Sequence, residues 1–201
     1  MSDAATTAPA DTIAVRDDER LDTGRLEPWL RARLEDADGP MTVRQFGGGR
    51  ANLTYLVAFG DRSYVLRRPP FGRVAASAHD MKREHRVLSR LWERFPLAPR
   101  SLLLCTDPDV IGADFHVMER RRGRVIRDDN AASALATPDA ARRTGEMLVD
   151  TLAALHAVDP AAVGLDDLGR PEGFLRRQVE GWVRRWQDAR DPDAPEIDDV
   201  T

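Results

Sequence analysis

Residues 41–68 read MTVRQFGGGRANLTYLVAFGDRSYVLRR, and this stretch decides the fold. Apolar and polar residues change places over Met41 to Phe46, Leu53 to Phe59 and Arg62 to Arg67, as they do in strands whose successive side chains point to opposite faces. The first two runs are joined by Gly47-Gly48-Gly49-Arg50-Ala51-Asn52 and the last two by Gly60-Asp61, a tight-turn pair. The expectation is three strands in consecutive antiparallel hairpins.

Working outward, Pro69-Pro70 ends the third strand, and Ser77 with Asp80 three residues on reads as a capping-box start. The helix that follows carries the apolar stripe Met81, Leu88, Leu91, Trp92 and Phe95 and stops at Pro96. Leu102 to Thr106 and Phe115 to Glu119 read as two more strands around a turn at Asp107-Pro108-Asp109. Residues 41–119 are thus expected to form an α+β lobe, a five-stranded antiparallel sheet plus one inserted helix. Upstream, Leu26, Trp29, Leu30 and Leu34 recur at helical spacing, giving an N-terminal helix within 17–40 that stops near Asp38-Gly39-Pro40. Residues 1–16, rich in Ala, Thr, Asp and Pro, are expected to be a disordered tail.

Downstream, Arg120-Arg121-Arg122-Gly123-Arg124 reads as a connector or hinge over 120–124. Beyond it, residues 125–201 are helical in pattern. Thr137-Pro138 caps a helix with the stripe Met147, Leu148, Thr151, Leu152 and Leu155, and Pro171 opens another with Leu175, Val179, Trp182, Val183 and Trp186 on one face. Two such helices are too few to close a core, so this second lobe reads as a partial α-helical one.

Composition narrows the functional classes. With 201 residues, 42% of them apolar, the chain has material for a buried core. A net charge of -4 argues against nucleic-acid binding through the overall field, and the basic run at 120–124 lacks interleaved aromatics, so no nucleic-acid partner is expected. No run approaches the roughly 20 apolar residues of a membrane span. Residues 1–12 also lack the basic and apolar regions of a signal peptide, so no membrane partner and a cytoplasmic location are the expectations. Cys105, the single cysteine, lies in the run Leu102-Leu103-Leu104-Cys105 and is read as a buried thiol.

Three features carry chemistry together. Glycines at 47–49 suit a backbone that closely approaches something or takes positive φ, and the exposed N–H groups of such a loop can bind an anion. In Tyr64-Val65-Leu66-Arg67-Arg68, Tyr64 and Leu66 share one face and Val65 and Arg67 the other; one face packs on the core and the other can line a cleft. Glu84 stands within the apolar stripe of the inserted helix, where a carboxylate needs a partner. A glycine loop over phosphates, a cation on the third strand and a helix glutamate orienting that cation are, in this order, the upstream parts of a kinase-like nucleotide site. His79 and His85 have no metal-ligand spacing with Asp, Glu or Cys, and His156 reads as a packed helix residue.

Several segments extend the pattern: Phe46 to Val57, Tyr64 to Pro70, Ser77-Ala78-His79, Arg83-Glu84, Val110-Ile111-Gly112 and Val117-Met118-Glu119. Ala153 to Asp159, Val163-Gly164-Leu165 and Arg176-Arg177-Gln178 continue it. From about residue 41 onward the chain resembles the aminoglycoside phosphotransferase and choline kinase superfamily, in the branch similar to the kinase-like region of certain acyl-CoA dehydrogenase fusions. The resemblance implies a protein-kinase-like N-lobe and ATP as cofactor, with Gly47, Gly48, Gly49 and Asn52 over the phosphates. It puts Arg67 in place of the family's strand lysine, held by Glu84, with Val65 on the same face and Met118 in the gatekeeper region. The backbone of Glu119 and Arg121 would hydrogen-bond adenine. Guanidinium for ammonium is a departure, since a planar fork binds phosphate with different geometry. Arg68 could serve only if the register slipped by one, which would turn it to the other face.

The superfamily's His-Gly-Asp-x-x-x-x-Asn loop and its later Asp-containing metal motif do not occur in these residues. The one Gly-Asp pair is the turn Gly60-Asp61. The chain therefore reads as the nucleotide-binding half of a kinase of small-molecule hydroxyls, cut before its catalytic loop. It holds no catalytic residue, its Mg2+ ligands are expected elsewhere, and it is expected to be inactive alone. The dehydrogenase-fusion resemblance tilts the acceptor towards a hydroxyacyl or similar metabolite. The alternative is a non-catalytic interaction module, a homodimer included, that docks through Leu175, Trp182, Val183 and Trp186.

Overall fold

The computed structural model of the chain describes residues 11–47, 52–72, 79–123, 126 and 135–189. Its elements are β1 (Thr12–Ile13), α1 (Thr23–Arg31), β2 (Met41–Phe46), β3 (Leu53–Phe59), β4 (Arg62–Arg68), α2 (Met81–Leu91), β5 (Ser101–Cys105), α3 (Pro108–Ile111), β6 (Phe115–Glu119), α4 (Pro138–His156) and α5 (Phe174–Ala189). The strands form one antiparallel sheet in the order β1-β2-β3-β4-β6-β5. The α+β class stands, with six strands where the sequence reading gives five.

The added strand corrects the disordered-tail expectation for residues 11–16; residues 1–10 lie outside the described residues. Thr12 pairs with Phe46 and Ile13 with Gln45. Arg44 Nε donates to Thr12 Oγ1 at 2.8 Å, the Arg16 amide to Gln45 Oε1 at 3.1 Å, and the Tyr55 hydroxyl to the Glu19 carbonyl at 2.7 Å. These are bonds to residues far along the chain, which composition does not register.

Both faces of the sheet are covered, and strand alternation decides what each one holds. Tyr55, Val57 and Phe59 of β3, Leu66 of β4 and Phe115 and Val117 of β6 are buried together with Leu26 and Leu30 of α1 and Val110 and Ile111 of α3. The Trp29 and Phe115 rings meet edge to face, with centroids 5.1 Å apart. Burying a large apolar side chain is worth about 1.5–3 kcal/mol, so this α1-side cluster is the main source of stability in the lobe. The other face carries α2, which packs on β5 and β6, with Met81 the fully buried member of its stripe.

Two local readings change. Asp80 is itself the N-cap of α2, accepting from the Arg83 amide at 2.9 Å, and Ser77 lies outside the described residues. The expected turn at Asp107-Pro108-Asp109 is the start of α3: Asp107 caps the Asp109 amide, proline occupies the first turn, and Gly112 ends the helix at φ 80°.

The chain divides into two units after Val163, downstream of the 120–124 connector. In the first, α4 is capped by Thr137, whose hydroxyl accepts from the Ala140 amide at 3.1 Å, and it has no buried residue. His156 is exposed at its end, not packed, since no described element covers it. In the second, α5 begins at Phe174, three residues after Pro171, and exposes Leu175 and Trp182 by 77% and 65%. Among the described residues, no helix is long and apolar enough to cross a membrane. Cys105 is buried, and burial pushes its thiol pKa up, as expected of an unreactive sulfur.

Candidate functional site

The register of β4 against β6 sets the site. Val65 pairs with Met118 and Arg67 with His116, so these four side chains lie on the α2 side, whereas Leu66 and Val117 point to α1. Arg68, one residue on, is turned to the α1 side as a 3% exposed guanidinium. It donates to the Ile111 carbonyl at 2.9 Å and lies 3.8 Å over the Phe71 ring. Burial lowers its pKa. The two neighbouring arginines therefore have separate tasks: Arg68 locks β4 to α3, and Arg67 faces α2.

Arg67 Nε lies 3.0 Å from Glu84 Oε2 as an ion pair, without the alignment of a hydrogen bond. Their side chains are 36% and 31% exposed, so the pair is open to water on one side. Glu84 is more strongly held than Arg67. Asn52 Nδ2 donates to its Oε1 at 3.0 Å, and His116 Nε2 lies 3.3 Å from its Oε2. The His116 contact, then the Arg67 charge and the Asn52 bond, hold the Glu84 carboxyl below its ordinary pKa against the opposing effect of burial.

Behind Glu84 the polar chain continues. Ser101 Oγ lies 3.0 Å from His116 Nδ1 and 2.9 Å from His85 Nδ1. His79 Nδ1 is within hydrogen-bond distance of Asn52 Oδ1. His79 and His85, which have no metal-ligand spacing in the sequence, thus belong to a polar network with His116 and Ser101, two residues that the sequence motifs do not single out. The available signal was a histidine inside the apolar strand Phe115-His116-Val117-Met118, since a buried polar group needs partners.

Gly47 shows neither a positive φ nor a close approach: an added Cβ would meet Ile13 at an ordinary 3.5 Å. Gly48 and Gly49 lie outside the described residues. At the end of β6, Met118 is buried beside Val65. The Glu119 amide donates to the Arg100 carbonyl at 2.9 Å, and the Arg121 guanidinium holds the carbonyls of Pro96 and Ala98 at 2.8 and 2.6 Å. On the α1 side, a cavity of about 640 Å3 is lined by Arg33, Arg62, Arg100 and Arg121, among others. Its arginines are already engaged, Arg62 with Asp36 at 3.2 Å and Arg121 with Glu119 at 3.3 Å. Among the described residues no group of three His, Cys, Asp or Glu could hold a metal ion.

The Glu84 cluster makes the lobe acid-sensitive. Burial lowers the His85 pKa, so the unfolded chain binds its proton first. Stability is therefore lost as pH falls below about 6.5, the ordinary histidine value. Glu84, also lowered, contributes stability above the ordinary carboxylate pKa that is lost as pH falls through its depressed folded value. Thermal unfolding from pH 8 to 3 should show two successive drops in Tm, the first removed by His85→Asn and the second reduced by Glu84→Gln. A Tm flat down to the carboxylate range would contradict the His85 part.

The antiparallel sheet with a strand arginine paired to a helix glutamate matches a kinase-like fold. The phosphotransferase enzyme family matches residues 42–201, and the chain belongs to that family. It is 37% identical over 194 residues to acyl-CoA dehydrogenase family member 11 of Gallus gallus, covering 94% of this chain and 24% of that protein. To the Homo sapiens protein of that name it is 30% identical over 200 residues, covering 97% and 25%. Among solved structures, a Ralstonia eutropha protein assigned to the aminoglycoside phosphotransferases superposes with a TM-score of 0.67 at 32% identity, covering 89% of this chain and 50% of that one. The chain thus spans about a quarter of the length of these curated relatives and half of the solved one.

Proposed function

We propose that the chain is the nucleotide-binding part of an ATP-dependent phosphotransferase acting on a small-molecule hydroxyl. One observation carries this reading: Arg67, partly exposed on the α2 side of the sheet, is paired with a Glu84 that other groups already fix in place. A cation so held is pre-aimed, and its guanidinium can take phosphate oxygens without first being ordered. Glu84 keeps Arg67 from collapsing onto other acceptors, and Val65 and Met118 supply an apolar floor for a purine. With the Glu119 amide already donating to Arg100, adenine recognition falls to the Glu119 carbonyl and the Arg121 amide.

Bound ATP would supply the phosphoryl group, and its acceptor would be a hydroxyl. The relatives' dehydrogenase names favour a hydroxyacyl acceptor. Mg2+ would accompany the bound nucleotide, and the described residues do not form a Mg2+ site of their own.

Titration calorimetry of the chain with MgATP tests the reading: saturable binding is expected, and no heat up to millimolar nucleotide would overturn it. The superfamily's His-Gly-Asp loop, whose aspartate accepts the hydroxyl proton, does not occur in these 201 residues, and no phosphorylation by them alone is expected. ATP-dependent phosphorylation of any small alcohol by the chain would contradict that. A second reading, docking through apolar helix faces, draws on the exposed stripe of α5, Trp182 and Trp186 included. Light scattering decides it, since a monodisperse monomer removes self-association.

A further inference from the structure

The hydrogen inventory behind Glu84 has a single direction. An ionised carboxylate only accepts, so His116 Nε2 must carry hydrogen towards Glu84 Oε2. With His116 neutral, its Nδ1 is then an acceptor, and at 3.0 Å it is a nearer acceptor for the one hydrogen of the Ser101 hydroxyl than the Val117 carbonyl at 3.5 Å. Ser101 Oγ in turn accepts from His85 Nδ1 at 2.9 Å. On the other side, Asn52 donates to Glu84 Oε1 at 3.0 Å, and its carbonyl faces His79 Nδ1. Residues from α2, β5, β6, the segment before α2 and the position just before β3 thus converge on one carboxylate, with the hydrogens directed towards it. His116 is fully buried, so it cannot turn to water and has one geometry in which to donate.

We propose that His116 is a positioning residue for the nucleotide site: through its Nε2–H it fixes the rotamer of Glu84 and so aims Arg67 at the phosphates, with Ser101 and His85 fixing its tautomer. The proposal rests on the nucleotide reading given above. It explains why a histidine occupies an apolar strand, and why Glu84 leans on more donors than a surface carboxylate needs. His116 itself touches no nucleotide and acts only through Glu84.

A double-mutant cycle on the full chain, read as MgATP affinity, tests this. His116→Phe keeps a buried ring and removes the donor, and it is expected to weaken ATP about tenfold, the loss typical of one hydrogen bond to a charged group. His116→Gln, which can still present an amide N–H to Glu84, should stay within about threefold of the unaltered chain. In the Glu84→Ala background His116→Phe should add no further loss, because a residue acting through Glu84 has nothing left to position. Losses that add would overturn the proposal, as would a His116→Phe affinity equal to that of the unaltered chain. Should His116→Phe fail to fold, long-range 1H–15N spectra of the unaltered chain decide: the Nε2–H tautomer at His116 supports the relay, and the Nδ1–H tautomer overturns it. Absence of ATP binding by the unaltered chain overturns the nucleotide reading and this proposal together. Binding that is lost in Arg67→Ala but indifferent to His116 overturns the proposal alone.

Discussion

Arg67→Ala should weaken MgATP binding by one to two orders of magnitude, the equivalent of about 1.5–3 kcal/mol for hydrogen bonds to a charged phosphate. The same change at Arg68 should leave affinity unaltered. The residues are adjacent in sequence, equal in charge and opposite in facing: Arg67 pairs with Glu84 at 3.0 Å, whereas Arg68 is buried against the Ile111 carbonyl at 2.9 Å. Arg68→Ala should instead lower stability by about 1–3 kcal/mol, the cost of leaving a buried carbonyl without its donor. Arg67→Lys is the informative intermediate. An ammonium keeps the charge and loses the fork, so it should retain part of the affinity and show whether phosphate is held by two bonds or by charge alone. Calorimetry on the three variants separates these outcomes; equal losses in Arg67→Ala and Arg68→Ala would mean that charge near the sheet, not facing, governs binding.

Phe115→Ala should be the most destabilising single change in the lobe, costing about 3–5 kcal/mol. Phe115 is fully buried, its ring meets Trp29 at 5.1 Å, and its neighbours come from strands and helices that cannot shift together to fill the space. Against a domain stability of about 5–15 kcal/mol, that loss brings the sheet near unfolding at ordinary temperature. Trp182→Ala removes a larger side chain, yet 65% exposure leaves little to lose, and a change within about 0.5 kcal/mol is expected. Urea unfolding of both variants measures the contrast. A Trp182→Ala loss comparable to that of Phe115→Ala would show that α5 is covered in solution.

What was legible in the sequence follows from the range of the forces involved. Alternation in residues 41–68 is a local signal, and it placed Arg67 and Arg68 on opposite faces before any contact was known. Glu84 stood out because a carboxylate in an apolar stripe must be paired. β1 did not stand out, because a strand of two residues has no period, and Thr12 and Ile13 are held by Arg44, Phe46 and Gln45 far along the chain. α3 was within reach, since Asp107, Pro108 and Gly112 are a cap, a first-turn proline and a stop; four residues are simply too few to show a helical stripe. The His85-Ser101-His116 relay was out of reach, because it joins α2, β5 and β6 through bonds that span 15 and 16 residues and leave no regular spacing.

The proposed function has nucleotide phosphates meeting Arg67 beside Asn52 and Glu84. Backbone and arginine side-chain chemical shifts of 15N-labelled chain during MgATP titration test it most directly. The account predicts saturable shifts at Arg67, Asn52 and Arg121, all following one affinity. Shifts confined to Arg33, Arg62 and Arg100 around the α1-side cavity, or none that saturate, would contradict it.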